Sequence, residues 1–224
     1  MICAVHQPNY IPYLGFFNKI KKSDIFVFYD SAQYTKNDFT NRNRVKIANG
    51  PAWLTIPVSV SLGQLISEVR IANPDFRSKH LRTLEMNYKK SLNFDEIFPK
   101  LEKLFVNKTA SLLEFNVSFL NFFISNLFPK KKIYYSSQLN LDTDKKSTAA
   151  LLDILDKVGA DTYLSGQGAR HYLDESLFAS RGKKLIWQEF HHPIYNQLWG
   201  EFLPNLSIVD MIFNVPRDEW INNI

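Results

Sequence analysis

Four short segments of this chain carry polar side chains at spacings that suit chemistry. The first is His6-Gln7-Pro8-Asn9-Tyr10, with Tyr13 close behind. The second begins at Asp30 and crowds Gln33, Lys36, Asn41, Arg42, Asn43 and Arg44 into one loop. The third is Ser165-Gly166-Gln167-Gly168 followed by Arg170, and the fourth holds the neighbours His191 and His192. Glycine turns at helix starts, flanked by lysine and arginine, suit a phosphate or carboxylate, because first-turn N–H groups lack partners and guanidinium groups bind oxyanions in pairs of hydrogen bonds. His6, His191 and His192 are candidate bases, Tyr10 a hydrogen-bond donor, and Asp30 a ligand for Mg²⁺ or an orienter of histidine. Adjacent histidines on an extended strand point to opposite faces, so His191 and His192 make a poor metal pair. The chain has no nucleophile elbow, P-loop or zinc motif, and no structural metal is expected. His80 and His171 read as surface or helix-capping residues.

These segments converge only if several strands end together. Residues 2–6 read as a strand, 12–22 as a helix with Pro12 in its first turn, and 24–30 as a second strand. So tight a strand–helix–strand unit implies a parallel sheet. Short strands follow near 44–48, 53–58 and 68–72, with turn signals at Asn49-Gly50-Pro51 and Gly63. Helices are expected over 75–90, 94–106 and 111–128, the last opened by Ser111 and Glu114 at capping-box spacing. Parallel-sheet logic resumes with a strand at 132–136, a helix at 146–158, a strand at 161–164 and a helix from Ala169. A strand near 184–190 and a helix over 207–214, where Ser207 and Asp210 again have capping-box spacing, complete the reading. The expected fold is α/β, a Rossmann-like parallel sheet in a single domain over 1–224, with a helical block inserted at about 74–130. Ligands of such sheets sit beyond the carboxyl ends of the strands, which brings together the Gln7–Gly15, Asp30–Arg44 and Ser165–Arg170 segments.

Bulk composition narrows the class. The net charge is +5, but the densest basic run is only Lys130–Lys132, so the surface favours small phosphorylated ligands over nucleic acid. The single cysteine, Cys3, excludes an intrachain disulfide and fits a reducing cytoplasm. No signal peptide is expected, and the apolar stretch from Thr109 to Phe128 carries a polar stripe that marks an amphipathic core helix rather than a membrane span.

Three of these motifs, in this order, resemble the HUP-superfamily nucleotidyltransferases, in particular the archaeal-type nicotinamide mononucleotide adenylyltransferases. Gln7-Pro8-Asn9-Tyr10-Ile11-Pro12-Tyr13 stands where that group has Q-P-F-H-x-G-H; Ser31-Ala32-Gln33, Phe39-Thr40 and Arg44 follow its second motif, and Ser165-Gly166 with Arg170 its third. The two histidines of that group fall here on Tyr10 and Tyr13, which cannot supply a cation at neutral pH, so the resemblance implies nucleotide binding more strongly than nucleotidyl transfer. A closer similarity covers nearly the whole chain: HQPNYIPYLGFFNKI, YDSAQYTKNDFTNRNRVK, YLSGQGARHYL and FHHPIYNQLWGEFLPNLSIVD resemble the WbqC-like protein family. That resemblance implies a transferase of bacterial surface-polysaccharide (O-antigen, lipopolysaccharide) assembly that moves a glycyl or other acyl group to an amino sugar. ATP and Mg²⁺ are the implied co-reactants and a nucleotide or nucleotide sugar the implied substrate, with a homodimer open. The rival expectations are a true nucleotidyltransferase and a non-catalytic nucleotide-sugar or nucleic-acid binding module.

Overall fold

A computed structural model describes all 224 residues. Strand β1 (Ile2–His6) is followed by helix α1 (Leu14–Lys22) and strand β2 (Ile25–Phe28). Hairpin strands β3 (Arg42–Ile47) and β4 (Gly50–Thr55) come next, then the short pair β5 (Val58–Ser59) and β6 (Arg70–Ile71). Helices α2 (Phe76–Tyr88), α3 (Phe94–Phe105) and α4 (Leu112–Leu127) separate these from β7 (Lys132–Tyr135). The chain ends with α5 (Ser147–Val158), β8 (Thr162–Ser165), α6 (Glu175–Ser180), β9 (Lys184–Trp187) and α7 (Ile208–Asn214).

Strands β1, β2, β7, β8 and β9 form one parallel sheet in the order β7-β2-β1-β8-β9, while β3–β4 and β5–β6 form separate antiparallel pairs. Counting only sheet strands this is 3-2-1-4-5, the doubly wound order, and it reverses direction at β1. The hairpin pairs and α2–α4 all lie in the connection between β2 and β7. Alternation along the central strands sends Ala4, Phe26 and Phe28 into a large core shared with α1–α4 and α7. Cys3, Val5, Ile25 and Val27 point the other way, into a smaller core with α5 and α6. Burial pushes the Cys3 thiol up to about 12, an inert core group. No helix is long and apolar enough to cross a membrane.

Three details differ from the sequence reading. The helix expected from Ala169 is a single 3₁₀ turn, Gln167–Ala169, and the helix begins later because Asp174 accepts from the Leu177 N–H as its N-cap. At α4, Ser111 Oγ accepts from the Glu114 N–H as expected, but Glu114 takes the Thr109 hydroxyl instead of reaching back, so the box is half made. At α7, Ser207 caps Val209, whereas Asp210 is a buried hub that accepts hydrogen bonds from Tyr88, Tyr195 and Gln197. Those bonds fasten the irregular 195–203 segment to α2 and α7.

Candidate functional site

A cleft of about 1010 Å³ opens at the carboxyl edge of the sheet, at the switch point between β1 and β8. Its floor is built from the end of β1 and the inner face of α1, and its sides from the turn after β8, the 38–44 segment, the start of α5 and Phe190.

The turn after β1 is held rigidly from two sides. Asn43 donates its amide to the carbonyls of Tyr10 and Ile11 at 3.2 and 2.9 Å. Asn116 of α4 donates to the carbonyls of Pro8 and Thr40 at 2.8 and 2.7 Å. Both asparagines are almost fully buried, so each bond forms in a medium where leaving the carbonyl unpaired would cost roughly 1–3 kcal/mol. Ile11, with φ of 34°, completes a sharp reversal that turns the chain into α1. The reversal decides where Tyr10 and Tyr13 go. Tyr10 turns away from the cleft and is buried against Phe115 and Phe119, its hydroxyl 3.0 Å from His80 Nδ1. It is thus a core residue, and His80, expected at the surface, is its buried partner, lowered to about 4 by burial. Tyr13 stays at the cleft, edge-on to Phe190, and its ring lies so close over Gly15 that a Cβ there would stand 2.4 Å from it. That close approach is why position 15 is glycine.

Of the predicted site residues, the candidate base His6 and the binding residues Gln7, Asn9, Tyr13, Asn43, Arg44, Ser165, Gly166 and Gly168 all line the cleft. Gln7 Oε1 accepts from Thr40, and Ser165 is buried at the base of its turn. Asn9 is 7% exposed and its Oδ1 has no partner. Arg44 Nε is likewise unsatisfied, with the guanidinium 5.6 Å from the Trp53 ring. Arg42, by contrast, stacks on Trp53 at 4.5 Å and donates to the Asn37 carbonyl, outside the lining. Asn41 is buried against the Ile56 carbonyl, and Gln33 and Lys36 are exposed beyond the cleft.

Arg170 also lies outside, stacked on Trp187 at 4.5 Å and donating to Gln167 Oε1 at 2.6 Å. Asp30, expected as a magnesium ligand or an orienter of histidine, is occupied elsewhere. Its oxygens accept from Ser136 Oγ, Ser137 N and Ser137 Oγ, closing the turn after β7. His191 is exposed, and His192 packs among Phe190, Tyr195 and Phe202 with Nδ1 2.8 Å from the Pro193 carbonyl. Asp38 is the only carboxylate along the cleft, so a magnesium ion would be held there only together with the phosphates of its nucleotide.

Two helices begin at this cleft without a side-chain cap. Tyr13 precedes α1 and Lys146 precedes α5, neither with a side-chain cap, and Gly15 and Ser147 of their first turns line the cleft. First-turn N–H groups and the positive end of each helix dipole thus face the same space.

His6 closes the floor. Its Nδ1 lies 3.1 Å from the Gln7 carbonyl, and a carbonyl can only accept, so Nδ1 carries the hydrogen and Nε2 keeps its lone pair. Burial and the nearby Lys19 cation lower its pKa to about 3, so it stays neutral at physiological pH.

Lys19 was not legible as a site residue, since lysine on an amphipathic helix ordinarily faces water. It stands one turn beyond Gly15 on the same face, and that spacing is the signal that could have found it. Only 6% of it is exposed. Nζ lies 3.4 Å from where a Cβ on Gly166 would be, it enters no ion pair, and burial lowers its pKa to about 8.

The doubly wound sheet with a polar cleft at its switch point defines a Rossmann-like α/β protein. The chain belongs to the WbqC-like protein family, whose model matches residues 7–221. It is similar to Rv1507c, described as an uncharacterized protein, from Mycobacterium tuberculosis (strain ATCC 25618 / H37Rv). The two are 37% identical over 216 residues, which span 95% of this chain and 93% of that protein. No solved structure matches the chain.

Proposed function

We propose that the cleft binds a nucleotide or nucleotide-linked sugar and that the protein is a transferase, passing an activated acyl group, glycyl among the candidates, to the amine of an amino sugar in bacterial surface-polysaccharide assembly. The observation that carries this reading is the pair of uncapped helix N-termini, α1 and α5, facing one cleft at the switch point of a doubly wound sheet. Their N–H groups and the Arg44 guanidinium suit a diphosphate, and the rings of Tyr29, Tyr163, Tyr172 and Phe190 along the walls suit a base or sugar face.

In the transfer, the acceptor amine forms a bond to the acyl carbon, the bond from that carbon to the activating phosphate breaks, and the phosphate leaves with the electron pair and takes up the proton that the amine loses. His6 Nε2, held as a neutral acceptor, receives that proton's hydrogen bond. A nucleotidyl transfer would want cations where Tyr10 and Tyr13 stand, and Tyr10 faces the core.

The test combines the protein with ATP, glycine and a panel of nucleotide-linked amino sugars, reading pyrophosphate release and the mass of the sugar product. Release that requires both glycine and an amino sugar, with acylated product, is the expected result. Release with a phosphorylated acceptor alone would favour nucleotidyl transfer. If no nucleotide or nucleotide sugar raises the melting temperature, the reading falls.

A further inference from the structure

We infer that Lys19 is the receptor for one anionic group of the ligand, a phosphate or a carboxylate, which it meets on the cleft floor between α1 and the Ser165–Gly168 turn and binds with uptake of a proton. This rests on the cleft being the ligand site, and it adds the residue and the ligand chemistry that the reading above leaves open.

The geometry leaves Lys19 little other purpose. A solvated surface lysine tolerates having no partner, but this one is nine-tenths buried, and a buried ammonium without a counter-ion is costly unless a ligand supplies the missing charge. The surroundings contain no substitute. His6 faces it from β1 and is neutral, the β8 turn beside it offers the backbone of Gly166, and Asn18 of α1 and Gln188, just beyond β9, bond to each other. The remaining ionisable groups of the cleft are Tyr13, Tyr29, Asp38, Arg44, Tyr163 and Tyr172, and none of them forms an ion pair with Lys19.

The α1 N-terminus adds donors on the same face, through Gly15 one turn earlier. The ligand class is therefore an oxyanion. A sugar phosphate with a free hydroxyl meets that description, and so does an amino acid with its carboxylate and ammonium.

Proton uptake follows from the charge. With a pKa of about 8, the amine is close to half protonated at pH 8 in the empty cleft, and an anion beside Nζ holds it fully protonated. Binding at pH 8 should then take up about 0.5 proton per ligand, and at pH 6.5 almost none.

Isothermal titration calorimetry in buffers of different ionisation enthalpy reads both affinity and proton uptake. Pyrophosphate, uridine diphosphate, glycine and acetate are the probes, so the phosphate and carboxylate sources separate. The expected result is binding of at least one probe class, proton uptake at pH 8 that disappears at pH 6.5, and a loss of about tenfold to hundredfold in affinity in Lys19→Met. Lys19→Arg should retain most of the affinity without the proton uptake, since guanidinium stays charged. Circular dichroism melting of each variant separates misfolding from lost binding.

If wild type binds none of these anions at millimolar concentration, the inference is overturned. If nucleotide sugars bind and are acylated while Lys19→Met retains wild-type affinity and proton uptake, Lys19 is excluded and the transferase reading stands. If anions bind through Lys19 but no transfer occurs, the receptor stands and the transferase reading falls.

Discussion

Replacing Lys19 by Met should make the ligand-free protein more stable near neutral pH, although it removes a charge from the site. Methionine has a similar length and no desolvation penalty, whereas the ammonium is buried without a counter-ion. The fall in pKa from 10.5 to about 8 sets the scale. At ~1.36 kcal/mol per pH unit it amounts to about 3 kcal/mol of native-state destabilisation while the amine is charged. The sign follows from proton counts: between pH 8 and 10.5 the unfolded chain binds the proton and the native state does not, so wild-type stability rises with pH through that window. Below pH 8 the full cost is present, and above 10.5 it is gone. Urea denaturation at pH 7 should therefore move the Lys19→Met midpoint up by roughly 1 M, and the gap should narrow steadily toward pH 10. A variant less stable than wild type at pH 7, or a gap that does not change with pH, would refute the reasoning. Such a result would mean that Lys19 has an internal partner and is not held in reserve for a ligand.

Three further outcomes are expected. Asp210→Ala leaves the hydroxyls of Tyr88 and Tyr195 and the Gln197 amide without their common acceptor and should cost roughly 3 kcal/mol in denaturant unfolding, with Asp210→Asn milder because one oxygen remains. His6 should show no titration by NMR between pH 8 and 4.5; because its native pKa of about 3 lies below the ordinary 6.5, native stability falls as pH drops from 6.5 toward 3, and His6→Asn should flatten this acid limb. Gly15→Ala puts a methyl group 2.4 Å from the Tyr13 ring, so the ring must swing out; ligand affinity should drop by about tenfold or more while the melting temperature changes little, since alanine favours the helix.

The parts of the molecule that could be read in advance are those in which one local rule decides. The β1–α1–β2 unit, the α4 stripe and the β3–β4 hairpin followed their periodicity and turn residues to within a few positions. So did the convergence of the first and third motif segments, since strand ends in a parallel sheet meet whatever their side chains. What failed were residues whose direction depends on a distant partner. Tyr10 was placed by alignment with a catalytic histidine, but Asn43, Asn116 and the positive φ of Ile11 rotate it into the helical core. Asp30 and Arg170 have the right types at the right spacing, yet Ser136 and Ser137 take one and Trp187 the other. Lys19 is buried beside the Gly166 turn, about 150 positions away in the chain, and α1 itself is held by Gln188 through Gly15 and Asn18 and by Ile224 through Asn18, contacts spanning about 170 to 206 positions. No window along α1 contains that information.

The strand order also constrains how the molecule comes into being. β1 occupies the middle of the sheet; its partner β2 follows within one short helix, but its partner on the other side, β8, pairs Thr162 with Ile2. At synthesis rates of about 5–20 residues per second, β8 leaves the ribosome roughly ten to thirty seconds after β1. Throughout that interval one backbone edge of β1 has no sheet partner, and Cys3 and Val5 wait for α5, which completes their layer. The cleft cannot be complete before the turn after β8 and Gln188, beyond β9, have been made. A nascent or truncated chain would hold most of the helical core and no binding site, exposing an adhesive strand that invites capture by a chaperone or by another copy of itself.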